Sequence, residues 1–276
     1  MNTKKFNFGR MVIYLILVAG IAITVFPFLW MILTSLKLQS ETIKIPIVIF
    51  PKELQFGNYP AVFQQIPYGR MYLNTIINTC VIVAAQLVFC SMAAYAFARI
   101  DFPGKNIIFA ILLSVLMIPA SFFIIPQYQI IQKLDLLNTI PALFLPNLFS
   151  IFGTFLLRQF FMALPEELED AARIDGCSRF MSFFYIMLPL VKSGLVALAI
   201  LTLRFAWNDL MWPLIVNNET TKMTLSAGLS FLQGQYTTNY PLMMAGAVMA
   251  VLPLLIIFAI FQEQFIEGIA IQGIKG

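Results

Sequence analysis

Ala163-Leu-Pro-Glu-Glu-Leu-Glu-Asp-Ala-Ala-Arg-Ile-Asp-Gly-Cys-Ser-Arg-Phe-Met-Ser-Phe-Phe-Tyr-Ile-Met-Leu-Pro-Leu190 is a polar island in an apolar chain, and its reading sets the fold. It holds Glu166, Glu167, Glu169, Asp170 and Asp175, five of the thirteen acidic residues. Pro165 suits the first position of a helix, where the N–H it lacks would have no partner anyway. Glu166 and Glu167 then fall in the first turn, favourable against the helix dipole. Leu164, Leu168, Ala171, Ala172 and Asp175 recur at three to four residues and predict a narrow face of small side chains. Gly176 permits a left-handed turn that stops the helix. Arg179 to Leu188 reads as a second, amphipathic helix with Phe180, Phe183, Phe184 and Tyr185, ended by Pro189. The stretch is therefore a short helix, a glycine hinge and a second helix. Its alanines are thin enough for a partner's backbone to approach.

Around this loop the chain is too apolar for water. It has 276 residues, of which 60% are hydrophobic and 11% charged, with mean hydropathy +0.87. A soluble domain carries roughly 45–50% apolar and about 25% charged residues. A membrane span needs about 20 apolar residues. Runs of that order cover about 11–33, 72–98, 106–125, 140–161, 193–211 and 242–261. The first run is longer than the apolar core of a signal peptide and lacks a small-residue cleavage site, so it reads as a retained helix. Phe28-Leu29-Trp30 near its end forms an aromatic belt. The expected fold is all-α and integral to the membrane, with six transmembrane helices. Residues 1–10 form an N-terminal segment, 11–262 a single transmembrane domain with the 163–190 loop inside it, and 263–276 a tail.

Charge sets the expected orientation. With both termini inside, cytoplasmic segments hold Lys4, Lys5, Arg10, Arg99, Lys105, Arg158, Arg173, Arg179, Lys192 and Lys275. External loops hold Lys37, Lys44, Lys52, Arg70, Lys133 and Lys222. The excess is on the inside, as the positive-inside rule requires. Pro119, Pro126, Pro146, Gly153 and Pro253 interrupt the spans, and are expected as packing kinks that neighbouring helices satisfy.

Several chemistries are excluded. The chain has no histidine, which removes Ser-His and Cys-His catalysis and His-ligated metals. Cys80, Cys90 and Cys177 are too few and too scattered for a zinc site. The net charge of +4 reflects basic loops, not a nucleic-acid partner. No Gly-x-x-x-x-Gly-Lys-[Ser/Thr] phosphate loop occurs; Pro103-Gly104-Lys105-Asn106 lacks the spacing and the hydroxyl. The expectation is a transport protein that is not an enzyme.

The loop also resembles a known family. Asp170-Ala171-Ala172, three residues, Gly176, nine residues, and Ile186-Met187-Leu188-Pro189 is similar to the EAA loop of ABC-importer permeases, Glu-Ala-Ala-x3-Gly-x9-Ile-x-Leu-Pro. Six of its seven fixed positions match with the spacing intact. The seventh is Asp170, where glutamate is usual; the charge is kept and the reach is shorter. Other strings resemble the carbohydrate, maltose-type branch in the same order. They are Pro27-Phe28-Leu29-Trp30 with Thr34-Ser35-Leu36-Lys37, and Ala93 to Arg99 followed by Phe102-Pro103-Gly104-Lys105. Trp207 to Leu214 and the Phe265 to Gly276 tail complete the set.

That resemblance implies a type I ABC-importer permease fold with a cytoplasmic coupling-helix loop, in a bacterial or archaeal cytoplasmic membrane. It implies a second permease subunit, two ATPase subunits, an extracytoplasmic sugar-binding protein and a carbohydrate substrate. No cofactor is expected in this chain; ATP and Mg²⁺ belong to the ATPase subunits. Glu169, Asp170, Ala171, Ala172, Asp175, Gly176, Ile186, Leu188 and Pro189 are the expected ATPase-coupling residues. Polar side chains inside spans tend to face a cavity or another helix. Asn74, Asn78, Asn147, Arg204, Asn208 and Asp209 are therefore the substrate-pathway candidates, with Gln86 beside them and Trp207 and Trp212 as stacking faces. The alternative is a self-contained secondary transporter or channel for a small polar solute. Its hallmark would be acids within the spans, and Asp209, at a span end, is the one candidate.

Overall fold

The computed structural model describes residues 8–234 and 238–273. Among the described residues every regular element is helical. Lys4, Lys5 and Lys275, used above for orientation, lie outside them. Among the described residues, three helices are long and apolar enough to cross a membrane: Met11–Ser35, Tyr68–Arg99 and Tyr240–Gln262. Three bent pairs pass the same criterion together, giving up to six spans. They are Lys105–Val115 with Ala120–Lys133 (97°), Ile140–Asn147 with Ile151–Met162 (45°) and Arg179–Leu190 with Lys192–Asn208 (77°).

The breaks differ from the continuous runs expected over 106–125 and 140–161. The first of these helices already ends at Val115, and the chain turns through 97° around Pro119, which cannot continue the ladder. Pro146 lies in a short 3₁₀ turn, Leu145–Asn147, and the helix restarts at Ile151 under a Ser150 cap. Hydropathy records depth in the bilayer and is blind to such changes of direction.

The chain divides into two compact units. One comprises Met1–Ile66 and Leu229–Leu252, the other Pro67–Gly228 and Pro253–Gly276. In the first, the Phe8–Ser35 helix is followed by a loop fastened by side chains. Lys37 is buried, donates from Nζ to the Val48 carbonyl at 2.6 Å, and lies 4.2 Å over the Trp30 ring. Glu41 accepts from the Leu38 and Lys52 amides, each at 3.1 Å. Asn58 donates to the Ser35 and Lys37 carbonyls. A carbonyl bond and an aromatic face thus offset the burial of the lysine.

The second unit is built on the 32-residue Tyr68–Arg99 helix. At 1.5 Å per residue it is about 48 Å long, which exceeds the roughly 30 Å apolar thickness of a bilayer. It packs against Ile151–Met162 and Lys192–Asn208. Their shared core includes Cys90, Ala94, Tyr95, Leu157, Phe161, Phe183, Met187 and Leu198. Two glycines let the helices approach. A β-carbon at Gly153 would lie 2.8 Å from Leu198 Cδ1, and one at Gly194 would lie 2.7 Å from the Phe160 ring. Small residues at helix crossings are the usual device where lipid gives no hydrophobic drive to association. Gly153, read from the sequence as a helix disturber, is a packing position.

Candidate functional site

The loop helix forms over Glu167–Ile174. It starts two residues after Pro165, so Pro165 precedes the helix and does not occupy its first turn. Glu167, Glu169 and Asp170 fill that turn, on the favourable side of the dipole. The far end is a Schellman cap. The Cys177 amide donates to the Ala172 carbonyl at 2.9 Å and the Gly176 amide to the Arg173 carbonyl at 3.0 Å. Gly176 has φ +82°, the left-handed turn its sequence position calls for. A β-carbon there would meet nothing within 4 Å, so the backbone angle is what favours glycine. Ser178 Oγ then accepts from the Met181 amide and caps the second helix. That helix runs to Leu190 through a π-turn, Ser182–Met187. Pro189 therefore lies inside its last turn, and the break falls at Val191.

An isolated helix of eight residues does not persist in water, where about 12–15 are needed even for favourable sequences. Neighbouring elements hold this one. Ala172 is buried at 3% exposure. The Tyr95 hydroxyl donates to Glu169 Oε1 at 2.5 Å. Arg99 Nη2 donates to the Phe161 carbonyl at 2.7 Å and to the Leu164 carbonyl at 2.5 Å, fixing the link that leads into the helix. Arg158 returns the favour across the same crossing, donating from Nε to the Phe97 carbonyl at 3.1 Å and lying 4.3 Å over the Phe109 ring. Each arginine thus satisfies carbonyls at the end of the other's helix.

The face left outward differs from the one expected. The sequence places Ala171 and Ala172 together on a thin docking face. The structure turns Ala172 inward and leaves Asp170, Ala171, Arg173 and Asp175 exposed. Ile174 is 86% exposed, an apolar residue standing clear of the chain beside the 3.7 Å Asp170–Arg173 pair. Glu169, Ile186 and Leu188 are half-buried, the last two packed on the core of the second unit, and Pro189 is exposed. Sequence reasoning missed Ile174, Tyr95 and Arg99. Their only signal was the Ala93 to Arg99 string, which carries no meaning until the fold brings it against the loop.

The polar residues of the spans are dispersed along the second unit. Asn74 is buried near the Tyr68 end and donates to the Thr221 and Met223 carbonyls, both at 2.9 Å. Asn78, one turn on, is buried with an Oδ1 that has no partner. Gln86 joins three segments, donating to the Asn147 carbonyl and accepting from Thr202 Oγ1, each at 2.8 Å. Gln86 and Asn147 line one open cavity of about 280 Å³ with Phe149, Phe152 and Phe205. Arg204 and Asn208 are exposed, and Asn208 donates back to the Arg204 carbonyl. Asp209 Oδ1 accepts from the Trp212 amide at 3.3 Å. The two tryptophans are not open stacking faces. Trp207 is 6% exposed with Tyr72 edge-on to it, and Trp212 is 6% exposed and donates from Nε1 to the Ala142 carbonyl. No cluster of metal-ligating side chains occurs among the described residues.

The chain thus joins broken spans to a glycine-capped loop helix whose outer face is exposed. Residues 2–270 match the family described as binding-protein-dependent transport system inner membrane component. The chain belongs to that family: it is a multi-pass membrane subunit of ABC import systems and not an enzyme. It is 40% identical over 257 residues to the arabinooligosaccharides transport system permease protein AraQ of Halalkalibacterium halodurans, covering 92% of each chain. It is 35% identical over 278 residues to the protein of the same name from Bacillus subtilis, covering 100% of this chain and 99% of that one. Its fold matches a chain of a bacterial ABC transporter involved in the import of the acidic polysaccharide alginate, with TM-score 0.83 at 19% identity, over 95% and 98% of the two chains.

Proposed function

We propose that this chain is one of two different permease subunits of a carbohydrate importer, driven by a cytosolic ATPase pair that docks on the 163–190 loop. The observation that carries the reading is the Glu167–Ile174 helix, tied to the bundle by Tyr95, Arg99 and Ala172 while Asp170, Ala171 and Ile174 face outward. A partner closing on that face moves a helix fixed to the spans, so mechanical work passes inward. Both termini and the loop lie in the cytoplasm. An extracytoplasmic binding protein delivers the solute on the other side. ATP and Mg²⁺ are held by the ATPase subunits. The likeness to arabino-oligosaccharide permeases supports an oligosaccharide as the solute. Asn147, lining the aromatic cavity beside Gln86, is the span residue best placed to meet a sugar; Asn74 and Asp209 are occupied by backbone partners.

The test is reconstitution in vesicles with a cognate ATPase, second permease and binding protein. Labelled arabino-oligosaccharide should enter only when all four components and ATP are present. Uptake by this chain alone, driven by a proton or sodium gradient, would overturn the reading.

A further inference from the structure

Tyr95 sits in the apolar core of the second unit, 5% exposed. Its ring is edge-on to Phe161 (5.7 Å between centroids) and tilted against Phe183 (5.1 Å). Its hydroxyl leaves that packing to reach the Glu169 carboxylate of the loop helix. A donor meeting a carboxylate makes one of the stronger hydrogen bonds available to a protein. The covalent route from the loop helix toward Lys192–Asn208 is indirect by comparison. It passes the left-handed turn at Gly176, a π-turn over Ser182–Met187 and a 77° bend at Val191. The route through Tyr95 enters a continuous 32-residue helix directly. Arg99, one turn beyond Tyr95 on the same helix, holds the Leu164 carbonyl within the 163–166 link.

We propose that Tyr95 is a positioning residue for energy coupling: its hydrogen bond to Glu169 makes the Tyr68–Arg99 helix the lever that the loop helix drives. The proposal rests on the loop being the ATPase-docking element. Force applied at the exposed Asp170–Ile174 face reaches Glu169 within the same rigid turn and passes across to Tyr95. Without the hydroxyl the loop helix still presents its outer face, and its movement is taken up in the joints at Gly176 and Val191.

The experiment uses the complete importer with Tyr95→Phe, Glu169→Ala, the double variant and Glu169→Gln, reading ATPase retained on purification and ATP hydrolysed per solute imported. Tyr95→Phe keeps the ring contacts with Phe161 and Phe183 and removes one oxygen. It should retain the ATPase and raise the ATP used per solute about tenfold or more, the lower end of the range expected for one hydrogen bond to a charged group. Glu169→Ala should match it, and the double variant should be no worse than the worse single one, as for two halves of one contact. Glu169→Gln, whose amide oxygen still accepts, should fall between. An unchanged ratio in Tyr95→Phe with the ATPase retained would refute the lever and leave the docking reading intact. Loss of the ATPase in Tyr95→Phe would show that the hydroxyl merely shapes the docking face, and would also refute the lever. A wild-type chain that retains no ATPase would refute the functional reading and the lever with it.

Discussion

At its Tyr68 end the long helix fastens a loop through buried side chains. Asn74 takes the Thr221 and Met223 carbonyls, Thr75 Oγ1 accepts from the Leu225 amide at 2.7 Å, and Thr224, Leu225 and Ala227 are buried. At its Arg99 end the same helix again fastens a loop by side chains, through Arg99 and Tyr95, and there the far face of the loop stays exposed. Both ends spend buried polar groups on backbone or carboxylate partners, as buried polar groups must. They differ in what is left over. The Tyr68 end packs Thr224, Leu225 and Ala227 inside the chain, and the Arg99 end presents a charged and apolar strip tied down from behind. A fixed back and a free front are what a coupling element needs.

The comparison is broken most readily at the Tyr68 end. Asn74→Ala leaves two carbonyls without their buried donor, at about 1–3 kcal/mol each. We expect a large drop in thermal stability in detergent and less protein in the membrane. Normal stability with lost uptake would instead mark Asn74 as a solute contact and the Tyr68 end as a site.

Next in size is the contrast within the Ala171-Ala172 pair. Ala172→Trp forces a large ring into a closed contact, at roughly 1–3 kcal/mol for overpacking, so membrane levels should fall. Ala171→Trp points outward, so levels should stay normal while the ATPase is lost. Equal behaviour of the two would erase the inward and outward faces of the loop helix.

Gly176→Val comes third. The left-handed backbone disfavours a β-branched residue by about 1–2 kcal/mol, with no steric clash added. Membrane levels should hold, and ATPase retention should weaken as the cap frays. The smallest effect is Asp170→Lys. An exposed charge pair contributes under about 1 kcal/mol and is screened by salt. ATPase association should weaken at low salt and recover in part at high salt, as read by pull-down across a salt series.

The parts legible in the sequence were those fixed by local chemistry. Gly176 announced its turn because few other residues accept that angle, and the 11–33, 72–98 and 242–261 runs became unbroken helices because nothing in them opposes the ladder strongly enough. Pro253 lies inside the last of these and is accommodated. The parts that stayed hidden depend on direction. Pro119 and Pro146 were visible, yet a 97° or a 45° bend follows from what the chain packs against, which hydropathy does not record. Ala171 and Ala172 are chemically identical, and only the position of the bundle decides which is buried. Trp207 and Trp212 suggested open faces for a sugar, whereas both are buried, Trp207 in a T-shaped contact with Tyr72 and Trp212 donating to the Ala142 carbonyl. Tyr95 and Glu169 are 74 residues apart, so no spacing rule joins them.

The most direct test of a loop helix fixed behind and free in front is co-purification of the ATPase with Ala171→Trp and with Ile174→Asp, each scaled to the amount of permease in the membrane. We predict wild-type membrane levels for both variants and loss of most of the bound ATPase. Wild-type levels of bound ATPase and of solute uptake in both would contradict the account, because the exposed face of the Glu167–Ile174 helix would then not be the surface the ATPase meets.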